Sequence, residues 1–147
     1  GAPIDGFGIG TSMDTSADAP YLDCAYKLTE YAHIARRKRS EGKATWPGRK
    51  QVYRRYDKQG RMQGDILTLD DDVLTGEPLL RPHMKEGKRL TPPEPLLDIR
   101  QRATVQLKRL PEALRTLATT PAHPVRVSEK LQALARAVDK SQQRHSR

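Results

Sequence analysis

The spacing of apolar residues predicts an amphipathic helix in the last third of the chain. Ile99, Ala103, Leu107 and Leu110 recur every three to four residues, which is the period of a helix with one buried face. Pro111 follows directly, and it marks either a break in this helix or the first turn of a new one. Leu114 and Leu117 then continue the apolar stripe.

A second helix is predicted to begin after Ser128, whose hydroxyl suits the N-cap position. Its buried face is predicted to comprise Leu131, Leu134, Ala135 and Val138. The polar tail from Ser141 to Arg147 is expected to fray.

The middle of the chain shows the two-residue period of strands. Gln51–Tyr56 alternates between polar and apolar positions, and Asp65–Leu69 is a second short strand pattern. Trp46–Arg49 and Asp57–Gly60 have the composition of turns. Together these signals predict a β-meander.

Two further segments are less regular. Leu22–Tyr31 has the residue types of a strand, although its spacing would also fit a short helix, and we take it as a strand. Residues 75–95 carry five prolines, so we expect a connection with at most one short edge strand around Leu79 and Leu80.

Composition adds charge to this picture. The net charge of +9 makes polyanions natural partners, and it suits a phosphate-rich substrate as well as a nucleic acid. The single cysteine, Cys24, excludes an internal disulfide and a multi-cysteine zinc site, which favours a reducing, cytoplasmic setting. No apolar run approaches the roughly 20 residues of a membrane-spanning helix.

The most informative motif is at the start of the chain, where glycines occupy positions 6, 8 and 10 and Thr11 follows. Because glycine has no Cβ, such a loop can turn successive main-chain N–H groups toward one anion. The Thr11 hydroxyl adds a further hydrogen-bond donor. We therefore predict a phosphate site at Gly8, Ile9, Gly10 and Thr11, with Ile9 acting only through its main chain.

The order of motifs after this loop resembles the C-terminal part of the nicotinate phosphoribosyltransferase family. The resemblance runs through Asp18–Leu28, Lys38–Arg54, Glu77–Leu80, Gly87–Lys88 and Leu110–Arg115, and so covers almost the whole chain. Asp14 departs from the family pattern, which usually has an apolar residue near this position. The chain starts at Gly1, close to the loop, so we expect it to be a piece of a longer protein.

The resemblance implies an α+β fold belonging to an α/β-barrel enzyme. Residues 1–20 would form a late barrel loop that binds phosphate, and residues 21–75 a β-meander that completes an open-faced sandwich. Residues 76–96 would be a proline-rich connection, and residues 97–147 a C-terminal helical region.

The resemblance also implies the reaction: nicotinate and phosphoribosyl pyrophosphate give nicotinate mononucleotide and pyrophosphate, driven by ATP hydrolysis, in NAD biosynthesis. Loop residues 8–11 would hold the 5-phosphate of phosphoribosyl pyrophosphate. The family's catalytic histidine and nicotinate-binding arginine would lie upstream, so we assign no catalytic or metal-binding residue here. Mg²⁺ and a homodimeric parent are further implications, and this chain alone is expected to be inactive.

Three other patterns have simpler interpretations. Ile66–Gly76 resembles a ribose-binding acidic motif, but an acidic turn after an edge strand is the preferred interpretation. The basic run Arg36–Arg39 suggests, as the alternative function, a small nucleic-acid-binding module. Against this alternative, no aromatic stacking set accompanies the basic run. The four histidines are scattered, and Trp46 is expected to anchor a turn, with stacking on nicotinate as the alternative.

Overall fold

The structure, a computed structural model, describes residues 3–8, 10, 13, 15, 26–116 and 118–145. The strands are β1 (Glu30–Tyr31), β2 (Ile34–Ala35), β3 (Lys50–Tyr56), β4 (Met62–Leu69), β5 (Glu77–Pro78), β6 (Met84–Lys85), β7 (Lys88–Arg89) and β8 (Val125–Val127). The helices are α1 (Leu96–Lys108), a 3₁₀ turn (Glu112–Arg115) and α2 (Glu129–His145). This mixed α+β content agrees with the predicted class.

The antiparallel hairpin of β3 and β4 is the centre of the fold. Its register runs from Lys50 opposite Leu69 to Arg55 opposite Gly64. The turn between the strands is held by Asp57, whose Oδ1 accepts hydrogen bonds from the N–H groups of Gln59 and Arg61 at 2.9 and 2.8 Å. The two predicted strands therefore pair as a hairpin, with the second starting at Met62 rather than Asp65. The predicted meander is wrong, because β1 and β2 form a separate sheet and β5 pairs with β3 rather than with β4.

Strand β8 changes the topology expected from the sequence. The sheet has the order β5-β3-β4-β8, and β8 pairs with β4 in parallel. Consequently β4, which we expected to be an edge strand, is an inner strand. The apolar pattern missed β8 because it is only three residues long and lies between two helical segments.

The core forms where α2 packs on β4. Leu131 is fully buried, and Ala135 and Val138 are buried on the same helix face, as predicted. Leu134, predicted for the same face, is only half-buried. Ser128 caps this helix, since its Oγ accepts a hydrogen bond from the N–H of Leu131 at 3.2 Å. Helix α2 continues to His145, and fraying of the tail stays a prediction.

Helix α1 contributes little to this core, since none of its residues is buried. It starts at Leu96 and ends at Lys108, and Pro111 then opens the 3₁₀ turn, so the proline does mark a new start. Leu96, Leu97 and Leu107 are 79%, 75% and 61% exposed, which leaves an apolar helix face without cover in the described residues.

The proline-rich connection contains more structure than expected. Its edge strand is β5, at Glu77–Pro78 rather than at Leu79 and Leu80, and the sequence also forms a β6–β7 hairpin. Glu86 and Gly87 both have positive φ in that hairpin, as in the tight two-residue turns that match strand twist. Of the predicted strand at 22–31, residues 22–25 lie outside the described residues, and only Glu30–Tyr31 is strand.

In the described part of the chain, no helix has the length and apolarity needed to cross a membrane.

Candidate functional site

The predicted phosphate loop is only partly described. The described residues include Gly8 and Gly10. Ile9, Thr11 and Asp14, the last being the residue that differs from the family pattern, lie outside them. Among the described residues, no atom lies within 4 Å of a Cβ added at Gly8 or Gly10, so contacts with these residues do not account for the two glycines. Between described residues, the only main-chain hydrogen bond here runs from the N–H of Met13 to the carbonyl of Gly10, at 2.9 Å. The phosphate site remains a prediction.

Much of the basic run is paired within the chain. Arg37 and Arg39 lie 3.1 and 3.5 Å from opposite carboxylate oxygens of Asp139 on α2. The Arg37 guanidinium also lies 5.9 Å from the centre of the half-buried Trp46 ring, which accords with the predicted role of Trp46 as a turn anchor. These contacts tie the basic run to α2.

The acidic turn after β4 is also engaged locally. Asp70 pairs with Arg49 at 3.2 Å, and Asp71 pairs with Lys130 at 3.1 Å. Asp72 accepts a hydrogen bond from the hydroxyl of Thr68. The three carboxylates therefore hold the end of the sheet to its neighbours, which accords with the structural interpretation of this motif.

A more enclosed charged cluster lies on the sheet between β3 and β4. Arg54 donates two hydrogen bonds to Asp65, at 2.8 and 2.7 Å, and the two side chains are 22% and 10% exposed. These hydrogen bonds hold the pKa of Asp65 below its usual range, against the opposing effect of burial. His123 Nε2 lies 3.5 Å from the same carboxylate, on its Oδ1.

Tyr56, Glu77 and Arg109 form a second cluster beside the first. The Tyr56 hydroxyl donates to Glu77 at 2.5 Å, and the Arg109 guanidinium lies 4.7 Å from the centre of the Tyr56 ring. Burial, and then this hydrogen bond, raise the pKa of Tyr56. The cluster joins β3, β5 and the end of α1, and thus links the helix to the sheet.

An apolar cavity of about 510 Å³ opens next to these clusters, between the sheet and α1. Its apolar walls are Met62, Ala103, Leu107, Leu110 and Leu114. Gln106 and His123 add polar groups, and Gln106 Oε1 and His123 Nδ1 are buried without a hydrogen-bond partner among the described residues. Such a cavity can accept an apolar side chain or a small molecule.

Sequence reasoning missed this cluster and cavity. Arg54 lies opposite Asp65 in the hairpin register. This pairing could have been predicted from the two strand patterns and the turn at 57–60. His123 could not have been found in this way, because it lies on an irregular segment before β8. No group of three or more potential metal ligands occurs among the described residues.

Comparison with known proteins places these elements in a family. Residues 73–135, from the acidic turn into α2, match the model of the nicotinate phosphoribosyltransferase C-terminal domain. Nicotinate phosphoribosyltransferase pncB2 of Mycobacterium tuberculosis is 45% identical over 131 residues, covering 88% of this chain. The bovine nicotinate phosphoribosyltransferase is 31% identical over 91% of this chain.

The chain belongs to the nicotinate phosphoribosyltransferase family. It spans 28% of the mycobacterial relative and 30% of the bovine one, and it corresponds to their C-terminal portion. The β5 strand, helix α1, His123 and strand β8 all fall inside the matched C-terminal domain, whereas the glycine loop precedes it.

A solved structure supports the same assignment for the fold. The crystal structure of human nicotinic acid phosphoribosyltransferase superposes with a TM-score of 0.61 at 25% identity, covering 70% of this chain and 25% of the human chain. The α+β fold of the superposed part of this chain is therefore shared with that enzyme. The barrel that the sequence analysis expected around residues 1–20 stays a prediction.

Proposed function

We propose that this chain forms the C-terminal part of an enzyme that makes nicotinate mononucleotide and pyrophosphate from nicotinate and phosphoribosyl pyrophosphate. The observation that carries the proposal is the 45% identity with the mycobacterial nicotinate phosphoribosyltransferase over 131 residues. We further propose that ATP hydrolysis drives this reaction and that the product serves NAD biosynthesis.

In this proposal the glycine loop binds the 5-phosphate of phosphoribosyl pyrophosphate. Main-chain N–H groups at Gly8, Ile9 and Gly10 would donate to the phosphate oxygens, and the Thr11 hydroxyl would add a donor. Support comes from the space around Gly8 and Gly10, where no atom of the described residues lies within 4 Å of an added Cβ. A bound phosphate can therefore approach the main chain closely.

We propose no catalytic residue in this chain. His33 and His83 are exposed, and His123 lies 3.5 Å from the Asp65 carboxylate that Arg54 already holds. The groups that accept phosphate from ATP and grip nicotinate are expected upstream. The role of this portion is to bind substrate phosphate and to support the rest of the enzyme.

We also propose that the enzyme uses Mg²⁺, forms a homodimer and acts in the cytoplasm. The described residues offer no group of three metal ligands, so magnesium enters only as the ion that accompanies the pyrophosphate substrate. No observation favours the alternative of a nucleic-acid-binding module, and Arg37, Arg39, Arg49 and Arg54 of the basic region are paired with acids.

A chimeric enzyme tests the proposal. The chain would replace the matching C-terminal portion of the mycobacterial relative, and nicotinate mononucleotide would be measured with nicotinate, phosphoribosyl pyrophosphate and ATP. We expect product from the chimera and none from the relative lacking this portion. A folded chimera that binds phosphoribosyl pyrophosphate no better than the truncated relative, and forms no product, would contradict the proposal.

A further inference from the structure

Two arginines on different strands line one small cavity, to which no described residue of the glycine loop contributes. The cavity has a volume of about 340 Å³, and Arg55 of β3 and Arg126 of β8 both line it. Neither arginine has an ion-pair partner among the described residues, and both are exposed.

The sheet register places these side chains on the same face. Arg55 lies opposite Gly64, and Arg126 lies opposite Ile66. Because residues 64 and 66 are two apart on β4, their partners project to one side of the sheet. Two strand spacings and the two-residue offset put the arginine Cα atoms roughly 12 Å apart, a gap that two long side chains can close over a small anion.

The space between the two arginines exists because Gly64 has no side chain. Any side chain at this position would lie between them, and a Cβ there would come within 3.0 Å of the carbonyl oxygen of Pro124. The pairing with β3 skips Gln63, which forms a bulge, and this residue also lines the cavity. Bulges of this kind re-aim side chains near functional sites, and the Gln63 amide adds a neutral donor.

The only acid in the lining, Asp65, does not oppose an anion here. Adjacent residues on a strand project to opposite faces, so the Asp65 carboxylate lies on the other side of the sheet from Gly64. It is held there by two hydrogen bonds from Arg54. The cavity therefore presents two guanidinium groups and an amide without a competing carboxylate.

We propose that this cavity, the Arg55–Arg126 site, binds a phosphate or pyrophosphate group of a small molecule, separately from the glycine loop. Guanidinium groups bind such oxyanions through paired charge-assisted hydrogen bonds, and two of them match a dianion. The proposal does not depend on the proposed enzymatic function, since it rests on the sheet alone.

Titration of the chain with inorganic phosphate and with pyrophosphate, at constant ionic strength, tests the site. We expect saturable binding with a Kd of about 1 mM or below by calorimetry, with NMR shifts at the amides of Gly64 and Arg126. The tighter of the two anions identifies the preferred group. Arg55→Gln and Arg126→Gln should each weaken binding about tenfold, since each removes a charge-assisted contact.

Two control variants separate this site from other sources of binding. Arg100→Gln removes an exposed arginine from α1 and should retain the affinity of the wild type. Gly10→Val removes any binding at the glycine loop, and it should leave intact the binding event that Arg55→Gln and Arg126→Gln weaken. Absence of saturable binding, equal weakening by Arg100→Gln, or loss through Gly10→Val alone would overturn the proposal. Tighter binding of a single-stranded oligonucleotide through the same arginines would assign the surface to nucleic acid instead.

Discussion

At the scale of single residues, the most constrained pair is Arg54 and Asp65. Their side chains are mostly buried and share two hydrogen bonds, so each satisfies a charge that would be costly to leave alone. The hydrogen bonds lower the pKa of Asp65, which means that folding favours its ionised form. The pair links β3 to β4 beside the cavity under α1.

Asp65→Asn should lower the free energy of unfolding by about 2 kcal/mol at neutral pH, because it leaves Arg54 without its counter-charge. A group whose folded pKa is depressed stabilises above its unfolded pKa and loses that contribution as pH falls through the folded value. The difference from the wild type should therefore be constant above about pH 5 and shrink below about pH 4. Urea unfolding across this range measures it.

The matched control for this prediction is Glu41→Gln, which neutralises an exposed carboxylate in a turn. Its unfolding free energy should stay within about 0.5 kcal/mol of the wild type. If Asp65→Asn lowers the free energy of unfolding by the same amount at every pH down to pH 2, the role given to the ion pair is refuted.

At the scale of secondary-structure elements, the two helices differ in how far they are integrated. Helix α2 buries Leu131, Ala135 and Val138 against β4, whereas α1 buries no residue. The sequence predicted both helices equally well, because the apolar period is the same in each. It could not tell which apolar face has a partner within the described chain, since that depends on the tertiary contacts.

The strands show the same limit of sequence reasoning. The β3–β4 hairpin was predictable because Gln51–Tyr56 alternates and Asp57–Gly60 encodes a turn. Strand β8 was not, because three residues carry no measurable period and its pairing with β4 is long-range. The pairing of β8 with β4 places Arg126 near Arg55. The proposed Arg55–Arg126 site could therefore be recognised only from the structure.

Leu131→Ala should destabilise the chain by about 3 kcal/mol, because it leaves a cavity in the fully buried interface of α2 and β4. Leu97→Ala removes the same atoms from α1 at a position that is 75% exposed, and it should cost less than about 0.7 kcal/mol. Equilibrium urea unfolding of both variants checks the difference. Equal losses would show that α1 is buried in solution.

At the scale of the whole molecule, the chain matches the C-terminal portion of longer relatives. It spans only 28–30% of the mycobacterial and bovine enzymes, which are more than three times as long. The exposed leucines of α1 and the open cavity beneath it are consistent with a portion that packs against further protein. The family, recognisable from the order of motifs, was confirmed by comparison. The phosphate loop, with Ile9 and Thr11 outside the described residues, was not tested.

The central claim is that the main chain around Gly10 holds the phosphate of phosphoribosyl pyrophosphate. The most direct test is the KM for this substrate in the chimera, measured for Gly10→Val and for Ile9→Val. Gly10→Val should raise the KM at least tenfold by filling the space that the phosphate needs, whereas Ile9→Val should leave it within about twofold. An unchanged KM in Gly10→Val, with the chimera active, would contradict the claim.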